Sequence, residues 1–426
     1  MRTAYCESER LSRGKIVEIG KDGRVTLQMP LPVVNLLIDA QAEVEALAVQ
    51  CGLLLMKACI ESEVEQVAGP RYVHQEERRA VRAGQTPTWA FYSGRKVGYR
   101  RQRVRGESGE IPLVSVSAFQ KDGRMQRSVA AKVLSGVKMR RYEQCLDDVC
   151  EGYGVDKSCV SRHWVNASAQ ALKNLAERRL ENLDLAVIVV DGLRFKETLV
   201  VVALGVDCKG YKQVLGLYAG ATENATTCKN LLEDLIRRGL DVKRKYLWVI
   251  DGSKALRSAI RSVFGEDALV QRCQVHKKRN VKDHLPRSYH RTLSLRLSAA
   301  YGMAAYADAK AELDKTVKWL EGVSPSAAES LREGLEETLT VHGLGVAELL
   351  RRSLSSTNLI ESCFSTTRER SRSVKRWRGE DQVMRWAGTV LLDAEKHFRR
   401  VRGYAAMPAL LSKIGNEPLE TQRVGA

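Results

Sequence analysis

Short apolar runs recur between residues 184 and 273, separated by polar segments of changing length. The first three runs lie in LAVIVVDG, ETLVVVALGVD and YKQVLGLYAG, and the connections between them are too short to hold a crossover helix. This spacing predicts three consecutive antiparallel strands. Helical patterns then alternate with two further runs, KYLWVIDG and ALVQRC. The pattern therefore predicts a mixed α/β sheet whose middle strands are buried.

Helical periodicity dominates on both sides of this region. Residues 285–355 place apolar positions at helical spacing almost without interruption, which predicts an all-helical segment. Residues 31–69 predict one long helix or two shorter ones, closed by Gly69 and Pro70. Between residues 126 and 180, two helical stretches flank the sequence GYG. That arrangement predicts a helix-turn-helix.

The second helix of this predicted helix-turn-helix carries Lys157, Ser161 and Arg162, and the first is expected to end near Glu151. A recognition helix of this kind lies in the major groove of DNA, with its first turns facing the bases. An ordinary pair of packed helices has the same spacing. The basic character of the chain favours the DNA-binding interpretation.

The charge balance points to a polyanionic partner. The chain of 426 residues has 69 Lys+Arg against 51 Asp+Glu and a formal charge of +18. An excess of that size is typical of proteins that bind nucleic acid. The basic residues also cluster, and the stretch SGRKVGYRRQRVRGESGEIPLVSVSAF predicts short, strongly basic strands. The candidate DNA contacts on these strands are Arg100, Arg101, Arg103 and Arg105.

Apolar runs and cysteines predict a cytoplasmic protein. The longest uninterrupted apolar runs, such as Leu185–Val190, have six residues, far fewer than a membrane span needs. The first residues lack the basic-then-apolar pattern of a signal peptide. Ten cysteines are scattered without a CxxC pair, which favours reduced thiols. We therefore predict no membrane partner and a location beside the nucleoid.

Two aspartates occupy equivalent places in the predicted sheet. Asp191 follows the apolar run LAVIVV, Asp251 follows YLWVI, and a glycine follows each. Carboxylates at the carboxyl ends of central strands point into the crevice where open α/β sheets bind ligands. A single Asp-Gly pair is also a common turn. Two such pairs on strands expected to be neighbours favour a shared site.

A third acid, Glu361, lies in the sequence STNLIES and has two explanations. With Asn358 as N-cap it would be the third helical residue, where a glutamate can reach back to the cap amide. Alternatively, it is a metal ligand. Three carboxylates beside a bound phosphate backbone suit Mg2+. The basic residues that follow, which we predict to contact DNA, include Arg368, Arg372, Lys375 and Arg376.

The order of Asp191, Asp251, QRCQVHKKRN, a helical segment and STNLIES resembles the Mutator-type class of bacterial insertion-sequence transposases. The resemblance covers roughly residues 31–397. Its most specific parts are RCQVHKKRN, with Cys273 and His276 at the positions of a Cys-x-x-His signature, and TNLIES. The chain departs from the usual pattern in SCFSTT, where members often have Asn or Arg soon after the Glu-Ser pair.

The resemblance implies a DNA transposase with an Asp-Asp-Glu catalytic set. Asp191, Asp251 and Glu361 would be ligands of Mg2+, with Mn2+ as a substitute. The partners would be double-stranded DNA, both as terminal inverted repeats and as target DNA, and a second copy of the chain in a homodimer on DNA. A non-catalytic DNA-binding protein derived from a transposase is the alternative.

The Cys-x-x-His pair has its own alternatives. A zinc site is two ligands short with one cysteine and one histidine. A structural or DNA-proximal role is the better expectation for this pair. The neighbouring basic residues that we predict to contact phosphates are Arg272, Lys277, Lys278 and Arg279.

The resemblance also implies a ribonuclease H-like catalytic domain split by an all-helical insertion, and the predicted order of strands and helices agrees with that fold. Helical and helix-turn-helix segments that bind DNA would precede it. The predicted boundaries are an N-terminal helical region at 1–70, a basic strand-rich segment at 71–125, the helix-turn-helix at 126–180, the first catalytic part at 184–284, the insertion at 285–355, the second catalytic part at 356–400 and a tail at 401–426.

Overall fold

The computed structural model describes residues 17–19, 25–27, 44–73, 80–92, 95–120, 123–139, 157–220 and 225–416. These residues fall into two compact units, Met1–Ala167 and Ser168–Ala426. The two units are described separately.

The first unit combines helices with a twisted basic hairpin. Its apolar core joins the first long helix to the hairpin strands through residues such as Ile60, Val64, Ala90 and Val104. The elements are the antiparallel pair β1 (Val17–Ile19) and β2 (Val25–Leu27), helix α1 (Val44–Ala68), the antiparallel sheet of β3 (Ala80–Tyr92), β4 (Arg95–Gly106) and β5 (Gly109–Glu110), and helices α2 (Val114–Gln120) and α3 (Gly123–Leu134).

The basic region differs from its prediction in two ways. The strands β3 and β4 have 13 and 12 residues, so the expected short strands are wrong in length. The sequence VSVSAF belongs to helix α2 and not to a strand. Glu63 of α1 accounts for this, because its carboxylate accepts hydrogen bonds from the backbone amides of Val114 (2.6 Å) and Ser115 (2.8 Å) and so caps the helix.

The structure describes only part of the predicted helix-turn-helix. Its first helix, near Glu151, lies outside the described residues. Its second helix corresponds to α4 (Lys157–Ala176), which starts in the first unit and continues into the second. On α4, Lys157 and Arg162 are exposed and Ser161 is half-buried. The DNA-binding role of this helix stays a prediction.

The second unit is built on the predicted mixed sheet. Its strands lie in the order β10-β9-β6-β7-β8, with β6, β7 and β8 antiparallel and with β9 parallel to both β6 and β10. The three-strand meander and the buried central strands are confirmed. The strands are β6 (Leu185–Phe195), β7 (Thr198–Asp207), β8 (Lys212–Gly220), β9 (Leu247–Ile250) and β10 (Leu269–Arg272).

Helices cover both faces of this sheet. On one face, Ile188 and Val190 of β6 pack with α5 (Ala225–Arg237) and α6 (Lys254–Phe264). On the other face, side chains of β6 pack with α13 (Asn358–Ser371) and α14 (Glu380–Glu395). Outside residues 285–355, this unit also contains the helices α7 (Gln274–Asp283) and α15 (Met407–Lys413).

Residues 285–355 are helical, as predicted, and all of them are described. The segment contributes a core of its own, in which Leu293, Leu313, Leu331 and Leu339 are fully buried. Its helices are α8 (His290–Gly302), α9 (Tyr306–Val323), α10 (Pro325–Arg332), α11 (Thr340–Gly343) and α12 (Glu348–Leu354), with 3-10 turns at Arg287–Tyr289 and Glu336–Leu339. Among the described helices of both units, none is long and apolar enough to cross a membrane.

Candidate metal centre

The parallel pairing of β6 and β9 brings the two aspartates together. The last paired residues are Val190 and Ile250, so Asp191 and Asp251 come next on neighbouring strands. Asp191 does not end its strand in a turn, because β6 continues to Phe195 and Asp191 pairs with Val202 of β7. The structure thus rules out the common Asp-Gly turn at this position.

Alternation along β6 decides which way Asp191 faces. Val187, Val189 and Leu193 belong to the apolar core on the α13 side of the sheet, and residues two apart on a strand share a face. Asp191 therefore faces α13. Its carboxylate is 7% exposed, and its Oδ1 accepts a hydrogen bond from the Gly192 amide at 2.8 Å.

Asp251 is half-buried and held by the start of the next helix. Its Oδ1 accepts a hydrogen bond from the Ser253 amide at 2.9 Å. Ser253 is the N-cap of α6, and its hydroxyl accepts a hydrogen bond from the Leu256 amide. The capping turn therefore fixes the Asp251 carboxylate beside the end of β9.

Helix α13 supplies Glu361, but not as a capping residue. Thr357 is the N-cap and Asn358 is already the first helical residue, so the prediction that Asn358 caps the helix was wrong by one residue. Glu361 is the fourth helical residue, and its Oε1 lies 3.4 Å from the Thr357 hydroxyl. The cap falls on Thr357 because its backbone amide is held by the Cys273 sulfur at 3.4 Å.

The Cys-x-x-His motif places His276 next to this carboxylate. Cys273 is the N-cap of α7, and its Sγ accepts a hydrogen bond from the His276 amide at 3.5 Å. The same sulfur contacts Thr357, so the first turns of α7 and α13 lie side by side. As a result, His276 Nε2 is 3.5 Å from Glu361 Oε1. The predicted structural role of Cys273 agrees with these contacts.

Three of the predicted residues converge on one point. Among the described residues, one ligand atom from each of Asp191, His276 and Glu361 lies within 4.8 Å of the others. Asp251 is not part of this set, although its charge acts on both Asp191 and His276. Glu361 keeps about a third of its side chain exposed, so the cluster opens to solvent on that side.

The electrostatics of the cluster fit a divalent cation. Burial, and then the Asp251 carboxylate, raise the pKa of Asp191 to about 7. The hydrogen bond with Cys273 raises the pKa of His276 to about 9, and the nearby aspartates add to this effect. Carboxylates crowded in this way gain from a bound cation, and their oxygens are the ligands that Mg2+ prefers.

The residues predicted to contact DNA differ in how far their side chains are exposed to solvent. Arg101 and Arg103 pair with Glu110 across the β4–β5 hairpin. Lys278 is half-buried and donates to the Ser298 hydroxyl at 2.8 Å. The exposed members, for which DNA contact stays a prediction, are Arg100, Arg105, Lys157, Arg162, Arg279, Arg368, Arg372, Lys375 and Arg376.

The prediction of phosphate contact is wrong for Arg272 and Lys277, because both are buried. Lys277 is 1% exposed, and its Nζ donates to the carbonyl oxygens of Ser330 (2.6 Å) and Glu333 (2.5 Å). Arg272 donates to the Glu333 carbonyl at 3.0 Å and to the Gly252 carbonyl at 3.1 Å. The end of α10 leaves carbonyls that need donors, and these two cations supply them.

We expect Lys277→Met to destabilise the protein. The change removes the Lys277 donor from the Ser330 carbonyl and leaves the Glu333 carbonyl with Arg272 alone, and loss of such a bond costs about 1–3 kcal/mol of unfolding free energy. Arg279→Met is the matched control, since Arg279 is exposed in the same helix and its loss changes stability by about 0.5 kcal/mol or less. Chemical denaturation of both variants measures the difference. Equal stabilities would show that Lys277 does not hold α10.

Comparison with known proteins identifies the family. The family model described as "Transposase, Mutator family" matches residues 55–401, which is most of the chain. The chain belongs to the Mutator family of transposases. The family prediction from the sequence is therefore confirmed.

Individual relatives within the Mutator family are similar over most of their length. The chain is 27% identical over 379 residues to the transposase of insertion sequence element ISRM5 from Rhizobium meliloti, covering 84% of this chain and 89% of that protein. It is 26% identical over 350 residues to the transposase of IS256 in transposon Tn4001 from Staphylococcus aureus, covering 77% and 85%.

In this member of the Mutator family, the two most specific motifs meet in space. RCQVHKKRN supplies Cys273 and His276, TNLIES supplies Glu361, and Thr357 joins them. Sequence reasoning missed Thr357. Thr357 is the first residue of TNLIES, but its role becomes visible only when Cys273 is placed against it.

Proposed function

We propose that this chain is an insertion-sequence transposase that binds terminal inverted repeats and catalyses Mg2+-dependent cleavage and strand transfer of DNA. The observation that carries the proposal is the meeting of Asp191 and Glu361 in one cluster with Asp251 beside it. The names of the relatives support the same conclusion. The three acids would form the Asp-Asp-Glu set.

The arrangement of the second unit supports a ribonuclease H-like catalytic domain. Three antiparallel strands are followed by two parallel ones, and the acids lie where the first and fourth of these strands run side by side. The helical residues 285–355 would then be an insertion between Asp251 and Glu361. The other predicted domain boundaries belong to the same proposal.

The chemistry divides among the residues of the cluster. Asp191, Asp251 and Glu361 would hold Mg2+, with Mn2+ as a substitute, and the ion supplies activation of the attacking hydroxyl and stabilisation of the leaving oxygen. His276 holds its Nε2 3.5 Å from Glu361 Oε1, where a hydrogen on that nitrogen can be donated to a phosphate oxygen bound beside the carboxylate. The buried position of Asp191 keeps its carboxylate fixed.

The exposed basic residues would bind the DNA backbone. Helix α13 carries Glu361 in its first turns and Arg368 further along, and the chain after it presents Arg372, Lys375 and Arg376. A phosphate backbone bound there would pass close to the cluster. A homodimer would allow two element ends to be held at once.

Cleavage of the natural ends tests the proposal. The purified full chain is incubated with duplexes that carry the DNA flanking its coding region, with Mg2+, with Mn2+ or with a chelator. We expect cleavage at the ends with either ion and none with the chelator. Binding without cleavage under both ions would instead support a non-catalytic DNA-binding protein. Absence of both activities would contradict the proposal.

A further inference from the structure

Thr357 is a fully buried threonine whose hydroxyl contacts two members of the Asp191–His276–Glu361 cluster and acts on the third, Asp191. Its Oγ1 lies 3.4 Å from Glu361 Oε1 and 3.4 Å from His276 Nδ1. The Thr357 side chain also lowers the pKa of the neighbouring Asp191 carboxylate, against the larger effect of burial. On its other side, the Cys273 sulfur lies at 3.6 Å. One hydroxyl therefore contacts side chains of both α7 and α13 close to the Asp191 carboxylate.

Other buried threonines of this unit use their hydroxyls differently. Thr367 of the same helix α13 donates to the Cys363 carbonyl at 2.8 Å, and Thr316 donates to the Glu312 carbonyl at 2.9 Å. Such bonds to the preceding turn satisfy the hydroxyl within its own helix. The contacts of the Thr357 hydroxyl all go to side chains of the cluster and to Cys273. Its contacts with His276 and Cys273 therefore join α13 to α7, while its contact with Glu361 lies within α13.

The chemistry of a hydroxyl restricts how these contacts are made. It carries one proton to donate and can accept a hydrogen bond on its oxygen. The Glu361 carboxylate only accepts, so the hydroxyl proton can be donated to Glu361 Oε1, and the hydroxyl oxygen can accept from His276 Nδ1 in the tautomer that carries a hydrogen there. His276 Nε2 is then left to face Glu361 Oε1 at 3.5 Å. If the Thr357 hydroxyl is removed, the His276 imidazole and the Glu361 carboxylate both lose a hydrogen-bond partner.

We propose that Thr357 is a positioning residue that holds the Glu361 carboxylate and the His276 imidazole in one arrangement for binding a divalent cation. The inference rests on the proposed function. It predicts that the hydroxyl of Thr357 matters for cation affinity and hence for cleavage, whereas its volume alone matters for packing. Groups that orient metal ligands in this way typically change affinity or activity by about 10- to 100-fold.

Three variants separate the hydroxyl from the volume. Thr357→Val keeps the shape and removes the hydroxyl, Thr357→Ser keeps the hydroxyl, and Thr367→Val makes the same change at a buried site of the same helix outside the cluster. Mn2+ affinity of the full chain without DNA is measured by electron paramagnetic resonance of the free ion. The cleavage rate at saturating DNA is measured across a Mg2+ titration.

We expect Thr357→Val to weaken Mn2+ binding and raise the Mg2+ requirement by about 10- to 100-fold, with DNA affinity unchanged. Thr357→Ser should restore most of the loss, and Thr367→Val should match the wild type. Equal Mn2+ affinities for Thr357→Val and Thr367→Val would overturn the proposal. If Thr357→Val does not fold, Thr357→Ala is compared with Thr357→Ser in the same way.

The two proposals fail in different ways. A wild-type chain that binds Mn2+ through the cluster but never cuts DNA contradicts the proposed function, and the Mn2+ affinities of the variants still decide the role of Thr357. A wild-type chain that binds no Mn2+ overturns both proposals.

Discussion

Glu361→Gln is expected to abolish DNA cleavage and strand transfer while leaving binding to the element ends intact. The substitution keeps the size of the side chain and its contact with Thr357 but removes the negative charge that a cation would need. Loss of one group that stabilises the transition state costs about a hundredfold to a thousandfold in rate, and loss of a ligand is at least as severe. Single-turnover cleavage of labelled end duplexes measures the effect.

Glu369→Gln is the matched control for this experiment. Glu369 is exposed, lies in the same helix and does not belong to the cluster. The control should cleave at the wild-type rate, and both variants should unfold at the wild-type temperature, because neither carboxylate is fully buried. Wild-type activity in Glu361→Gln, or a loss of stability in place of a loss of activity, would mean that Glu361 serves the helix and not the chemistry.

Binding of the full chain to its DNA ends should weaken steeply with salt. Each phosphate contact releases counterions, so six to ten contacts would lower affinity by about 10³- to 10⁵-fold between 50 and 200 mM salt. Fluorescence anisotropy at several salt concentrations gives the slope of log affinity against log salt. A flat response would contradict the assignment of the exposed basic residues to DNA.

Single substitutions refine the salt measurement. Arg376→Gln, at an exposed position after α13, should reduce the slope by about one contact. Lys229→Gln should leave it unchanged, because Lys229 is on α5, which packs on the opposite face of the sheet, and pairs with Glu233. If both variants changed the salt slope equally, the net charge of the protein, and not specific phosphate contacts near Arg376, would account for DNA binding.

The sequence was most informative where chemistry depends on strand order. Asp191 and Asp251 could be placed together because each follows a buried run on strands expected to be neighbours, but β6 continues past Asp191 to Phe195 and only β9 ends beside it. Glu361 was accessible through its motif, although the N-cap of its helix is Thr357 and not Asn358. The cap at Thr357 depends on Cys273, which is 84 residues away in the chain. A pattern limited to a few residues does not contain that contact.

The buried cations mark a second limit of sequence reasoning. Arg272, Lys277 and Arg279 occur in one basic run, and nothing local separates the buried pair from the exposed residue. Burial depends on the end of α10, about 50 to 60 residues further along the chain. Its carbonyl oxygens accept hydrogen bonds from the side chains of Arg272 and Lys277. The clustered charge of residues 272–279 therefore predicted a DNA-binding surface. Two of its basic side chains instead stabilise the end of α10.

The path of the chain around the helical segment has a consequence for variation among relatives. The backbone leaves the sheet at Gln274 and returns at Ser355, and the Gln274 amide donates to the Ser355 carbonyl at 2.9 Å. Because the two ends of the excursion are already joined, changing its length adds little to the entropy of closing it. Changes of length confined to residues 285–355 would therefore leave Asp191, Asp251 and Glu361 in register. Loss of α7 would instead remove His276, and loss of α10 would remove the carbonyls to which Lys277 donates.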